Sequence, residues 1–244
     1  MKILGFDTSH GKSSVAISDG DRIIATFNSD KQSAQSQELI SMIEQSLEQA
    51  NLNYKDIDYL AVTTGPGSFT GIRIGLAAAK GIILASGIKP VAITSFEAIN
   101  FRIMMHARHY DYGLAMINAY RSQVYAQGFD IKGRPLDEPV MLDLEECADY
   151  LAGFKGRLAI GGSGVLCASQ YIVRDLSLHT HWSGAGSDVT LLPRFPHPEA
   201  RSLCRLANRK ILSGAYNEDI APLYIRPPDA KLPNIIPLSR QEFR

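Results

Sequence analysis

Cysteine is scarce in this sequence. Cys147, Cys167 and Cys204 are odd in number and widely spaced, which excludes a disulfide framework and any CxxC zinc site and suits a reducing compartment. Net charge is absent as well: Lys plus Arg number 25 and Asp plus Glu 25, so the chain cannot coat nucleic acid by bulk attraction. Nowhere is there the run of ~20 apolar residues that spans a bilayer, and Asp7 follows Met1-Lys2 too closely for a signal peptide. A cytoplasmic chain without membrane contact is expected. Catalytic signatures are missing too. The histidines, His10, His106, His109, His179, His181 and His197, include no HExxH. Val165 stands where a GxSxG elbow through Ser163 needs glycine, and no Gly-Lys-Ser/Thr completes a P-loop.

What is present reads as α/β. The 244 residues are 45% hydrophobic, enough for one good core or two small ones. Ile3–Phe6, Val15–Ser18 and Ile23–Phe27 read as strands, with Asp19-Gly20 as a tight hairpin turn between the last two. Leu39, Ile40, Ile43, Leu47 and Ala50 form an apolar stripe that predicts a helix from about Ser33 to Asn51. A strand at Tyr59–Thr63 leads into Gly65-Pro66-Gly67-Ser68-Phe69-Thr70-Gly71 and a second helix to about Ser86. Val91–Ile93 makes another strand, and Thr94-x-x-Glu97 has the capping-box pattern of a third helix. A looser echo follows: strands at Leu114–Ile117, Val124–Phe129 and Leu158–Ile160, and a short helix capped by Asp143-x-x-Glu146. The boundary between the halves falls near residues 101–111. A last helix from about Pro198 to Leu212 precedes a tail whose five prolines favour extended chain.

Five features could carry chemistry or contacts. The glycine-rich turn at Gly65–Gly71 puts free N–H groups and a helix dipole at one point, as an anion site needs, although a tight βα turn has the same composition. Asp7-Thr8-Ser9 at a strand end could hold hydrated Mg²⁺ or simply bond the turn, and Gly161–Gly164 would be a second backbone site. Gly71, Gly75 and Ala79, with Gly81 and Ala85 further on, make a small-residue face whose close neighbour lies either inside the chain or in a partner. Arg201, Arg205 and Arg209 recur every four residues on the last helix, as a solvated edge or a contact for phosphate or an acidic partner.

Together, Ile3-Leu4-Gly5-Phe6-Asp7-Thr8-Ser9, the string Thr64–Gly75 containing GPGSFTGIRIG, and Pro222-Leu223-Tyr224-Ile225-Arg226 resemble the TsaB family, also called YeaZ. Asn118-Ala119-Tyr120-Arg121-Ser122-Gln123-Val124-Tyr125 keeps the frame of a further family segment, with Asn118, Ser122 and Gln123 replacing its Asp, Gly and Glu. The resemblance implies two RNase H-like lobes of the actin-like ATPase, sugar kinase and heat-shock chaperone ATPase superfamily. Residues 1–105 would form the first lobe, rejoined by the helix at about 198–213, with 106–197 as a reduced second lobe and 221–244 as an extended tail.

The function implied is that of a noncatalytic partner of TsaD, and with it of TsaE, in transferring a threonylcarbamoyl group to the tRNA adenosine beside the anticodon. It would pair with itself when TsaD is absent and meet tRNA only through the complex. TsaD takes a metal on two histidines of its first helix, whereas Ser33–Leu39 here carries none, so neither metal nor resident cofactor is expected. The expected interface is Gln37, Ile40, Ile43, Leu47, Gly71, Gly75, Ala78 and Ile82. Asp7, Thr8, Ser9, Gly65, Gly67, Gly162 and Gly164 would mark a vestigial site of weak nucleotide binding, and Arg201, Arg205 and Arg209 an RNA or acidic-partner contact. The alternative is an ATP-dependent phosphotransferase or ATPase using Asp7 and the glycine-rich loops.

Overall fold

The structure, a computed structural model, describes residues 1–29, 35–172, 181–184, 187–193 and 195–226. Strands β1 (Lys2–Asp7), β2 (Ser14–Asp19) and β3 (Arg22–Asn28) form an antiparallel meander. Helix α1 (Gln35–Ala50), strand β4 (Tyr59–Gly65), helix α2 (Phe69–Ser86), strand β5 (Lys89–Thr94) and helix α3 (Ser95–His106) follow. β4 and β5 add parallel to β1, giving the order β3-β2-β1-β4-β5. The second sheet is built from β6 (Tyr112–Tyr120), β7 (Gln123–Asp130), β8 (Val140–Asp143), β9 (Leu158–Gly161), β10 (His181–Gly184) and β11 (Ser187–Leu192). Helices α4 (Cys147–Ala152) and α5 (Gly164–Ile172) belong with it, and α6 (Ala200–Leu212) closes the fold. Its order, β8-β7-β6-β9-β11-β10, repeats the first sheet's meander and parallel additions before the extra β10. Two sheets with this topology are the paired RNase H-like lobes that the sequence led us to expect.

Strand alternation distributes the core. Leu4 and Phe6 of β1 face α1 and α2, meeting Leu39, Ile43 and Leu47 on one helix and Ile72, Leu76 and Ala79 on the other. Ile3 faces the opposite way, into Ala200, Leu203, Cys204 and Ala207 of α6. That helix lies so close that a Cβ on Gly5 would stand 2.7 Å from the Cys204 sulfur. In the second sheet, Leu114 and Met116 pack under α5 while Ala115 and Ile117 meet Phe96, Ile99 and Ile103 of α3. The capping box of α3 is made as its sequence implies, with Thr94 Oγ1 accepting from Glu97 N at 3.1 Å and Glu97 Oε2 from Thr94 N at 2.8 Å. α2 is the one helix among the described residues long and apolar enough to cross a membrane, and it lies along the first sheet with its inner face buried.

Several boundaries differ from expectation. The β2–β3 loop is Gly20-Asp21, one residue later than Asp19-Gly20, because Asp19 still pairs with Arg22 and the glycine takes the positive φ of 56°. α6 begins at Ala200 and not at Pro198. β8, β10, β11 and α5 are additional to the expected elements. Ser33 and Ala34, expected to open α1, and the tail from 227 to 244 lie outside the described residues. Pro222–Arg226 crosses between the lobes: Leu223 N donates to Thr64 O at 2.8 Å, and Arg226 Nη2 donates to Gln123 Oε1 at 2.6 Å.

The β6–β7 turn carries strain. Tyr120, Arg121 and Ser122 have φ of 58°, 53° and 61°, all left-handed without a glycine. Each such residue costs about 1–2 kcal/mol, against roughly 0.5–1 kcal/mol of chain entropy that a glycine loses. Ser122→Gly should therefore stabilise the protein by about 0.5–1 kcal/mol. Thermal unfolding checks this; an unchanged or lower midpoint would mean that the turn is not strained.

Candidate functional site

The loop after β1 and the loop after β4 meet at the start of α2. Asp7 is buried, and its Oδ1 accepts from Ser9 N at 3.2 Å, Ser9 Oγ at 2.6 Å and Thr63 Oγ1 at 2.5 Å. Burial pushes its carboxyl above the usual carboxylate range, against the lowering effect of those hydrogen bonds. Thr8 Oγ1 donates to Gly71 O at 2.7 Å, and Ser68 N donates to Ser9 O at 2.6 Å. Gly71 N and Ile72 N donate to Ser68 Oγ and Ser68 O. Three backbone donors of this turn, on Ser68, Gly71 and Ile72, are thus occupied by the chain itself.

The glycines have the same explanation. A Cβ on Gly67 would stand 2.4 Å from Ser9 O, one on Gly71 2.0 Å from Thr8 O, and one on Gly75 2.5 Å from Thr8 Oγ1. Gly65, at φ +110°, is closed in by Ile72 and Leu223 O. In the other lobe, Gly162 at φ +112° would put a Cβ 2.0 Å from Met116 O, and Gly164 packs on Met116 and Ile117. Ser163 Oγ accepts from Asn118 N at 3.1 Å. So Asp7, Thr8, Ser9, Gly65 and Gly67 come together, Gly162 and Gly164 pack on β6, and each set is engaged by intrachain contacts.

Asp7 gives a sign-definite prediction. Its folded pKa is raised, so the native state holds the proton to higher pH than the unfolded chain, and that stability is lost as pH rises through the folded value. Asp7→Asn keeps an acceptor for Ser9 and Thr63 without the buried charge. The variant should melt above the parent at pH 7, with the gap closing below about pH 4. A variant that melts lower at pH 7 would mean that the ionised carboxylate is needed.

A family model described as TsaD, tRNA N6-adenosine threonylcarbamoyltransferase, matches residues 29–232. The tRNA threonylcarbamoyladenosine biosynthesis protein TsaB of Bacillus subtilis (strain 168) is 29% identical over 156 residues, covering 64% of this chain and 66% of that protein. TsaB of Escherichia coli (strain K12) is 32% identical over 95 residues, covering 39% and 41%. YeaZ from Pseudomonas aeruginosa superposes with a TM-score of 0.75 over 92% of this chain and 99% of that one, at 21% identity. The chain belongs to the TsaB/YeaZ family.

Within this TsaB-family chain the expected interface residues divide. Ile43 and Leu47 are buried in the first lobe's core, and Gly71 and Gly75 are closed by Thr8, so these four point inward. Intrachain packing accounts for the glycine pair, which removes the reason for giving it to a partner. Ile40 is 43% exposed, Ala78 and Ile82 are half-buried, and the side chain of Gln37 is outside the described residues. The outward face of α2 was only partly foreseen: it carries Ala77, Gly81, Leu84 and Ala85, and Leu84 is 90% exposed. Gly81 is the telling residue, because a Cβ there would meet nothing within 4 Å.

The arginines of α6 are partly occupied. Arg205 Nε donates to Asp21 O at 3.4 Å, and Arg209 lies over the Phe101 ring at 4.8 Å, while Arg201 is exposed. Sequence reasoning gave no hint of His10 and His197, whose ring centroids lie 5.1 Å apart although 187 positions separate them.

Proposed function

We propose that this chain is a noncatalytic subunit that docks the outward face of α1 and α2 onto the transferase its family model describes, supporting transfer of the threonylcarbamoyl group to the tRNA adenosine beside the anticodon. The carrying observation is the exposed α2 face. A mid-helix glycine costs roughly 0.8–1 kcal/mol relative to alanine, and nothing inside the chain justifies Gly81. A facing backbone does, since small residues let helices approach closely and pack more atoms per turn. Ala77, Ala78, Gly81, Ile82, Leu84 and Ala85, with Ile40 of α1, are the interface. A second copy offers the same small-residue face of α2 when the transferase is absent, and TsaE joins through the transferase, as does tRNA.

The state of Asp7 supports this reading over the ATPase, because burial raises its carboxyl pKa and so disfavours the charged form that a Mg²⁺ ligand needs. Titration of the isolated chain with ATP and Mg²⁺ should show at most weak binding and no turnover. Micromolar binding with turnover would overturn the noncatalytic reading.

A further inference from the structure

Helices α1 and α2 pack against the same side of the first sheet and carry charge of opposite sign. α1 has Glu38, Glu44 and Glu48 and no lysine or arginine, whereas α2 has Arg73 and Lys80 and no acid. Glu44, Glu48, Arg73 and Lys80 are all exposed. At about 100° per residue, Glu44 and Glu48 lie within about 80° of Ile40, and Arg73 and Lys80 within about 40° of Leu84, so the charges share the outward faces with the apolar residues already given to the interface. Arg73 is held in place, with its guanidinium carbon 3.7 Å from the centroid of the Phe69 ring and its Nε donating to Tyr224 Oη at 3.2 Å. Among the described residues none of these four charges enters an ion pair. The chain therefore presents an acidic stripe beside a basic one and neutralises neither.

We infer that this face takes a second copy of the chain in crossed order, α1 of each copy lying on α2 of the other, with Glu44 and Glu48 meeting Arg73 and Lys80 across the interface. A two-fold axis running along the helices gives this order and makes the two contacts equivalent, as a closed dimer requires. A two-fold axis across the helices would instead set each helix on its own copy, bringing Arg73 and Lys80 against themselves and the glutamates against themselves. Like charges meeting at an interface repel, so the stripes select against that arrangement. Crossed order also lays the backbone of α1 over Gly81 of the other copy, where a Cβ would meet nothing of its own chain. The inference rests on the outer-face reading above and adds which helix meets which, and which charges decide it.

Sedimentation equilibrium of the full chain tests this. Reversing α2 (Arg73→Glu with Lys80→Glu) or reversing α1 (Glu44→Lys with Glu48→Lys) should each weaken self-pairing by about tenfold or more, since symmetry counts every repulsion twice. An equimolar mixture of the two reversed chains should pair again to within about threefold of the parent, because each α1 then meets an α2 of opposite sign. Should one reversed chain fail to fold, the other decides alone. A reversed chain that pairs as tightly as the parent, a mixture of folded chains that does not recover, or a parent that stays monomeric would each overturn the crossed pairing. Pairing that is lost in Leu84→Lys but indifferent to charge reversal would overturn the crossed order and leave the outer face standing.

Discussion

Gly71→Ala should cost about 3 kcal/mol or more and lower the melting midpoint by roughly 6–12 °C, whereas Gly81→Ala on the same helix should raise it by about 2–4 °C. The two substitutions add the same methyl group. At Gly71 it would lie 2.0 Å from Thr8 O, a backbone atom held by the β1 strand and by the bond from Thr8 Oγ1 to Gly71 O, so neither side can give way cheaply. At Gly81 it meets nothing and removes only the entropic cost of a helical glycine. Calorimetry of both variants checks the contrast. A tolerated Gly71→Ala would mean that the loop and helix are not locked together, and the sealed description of Asp7 would fail with it.

Leu84→Lys should leave the isolated chain as stable as before, within about 0.5 kcal/mol, because the residue is 90% exposed and supports no core contact. Association with the transferase should nevertheless weaken by about thirtyfold or more, corresponding to roughly 2 kcal/mol for an apolar anchor lost from the middle of an interface. Gly75→Leu cannot serve this purpose. Its side chain would strike Thr8 Oγ1, so any loss of pairing would follow from damage inside the lobe.

Much of the fold was legible because it rests on local pattern. The alternation of β1 between two cores, the stripe on α1 and the Thr94/Glu97 capping box each depend on neighbours in sequence. β8 and β11 are short strands whose partners β7 and β9 lie further off in the chain, and β10 joins the sheet only through β11, which periodicity does not reveal. The small-residue face of α2 shows the same limit. Gly71, Gly75 and Ala79 share one side of the helix, while Gly81 lies about 200° from Ala79 at 100° per residue, so the wheel separates an inner from an outer face. Only the fold tells that the inner one meets Thr8. The pairing of His10 with His197 has no local signal at all.

On the proposed function, the outer face of α1 and α2 is where this chain meets its partner. Size-exclusion chromatography with light scattering, on the chain mixed with the transferase of its own organism, tests it most directly. A one-to-one complex formed at the expense of the self-paired species, and lost in Leu84→Lys, is expected. Absence of a complex for the parent chain, or a complex undisturbed by Leu84→Lys, would contradict the claim.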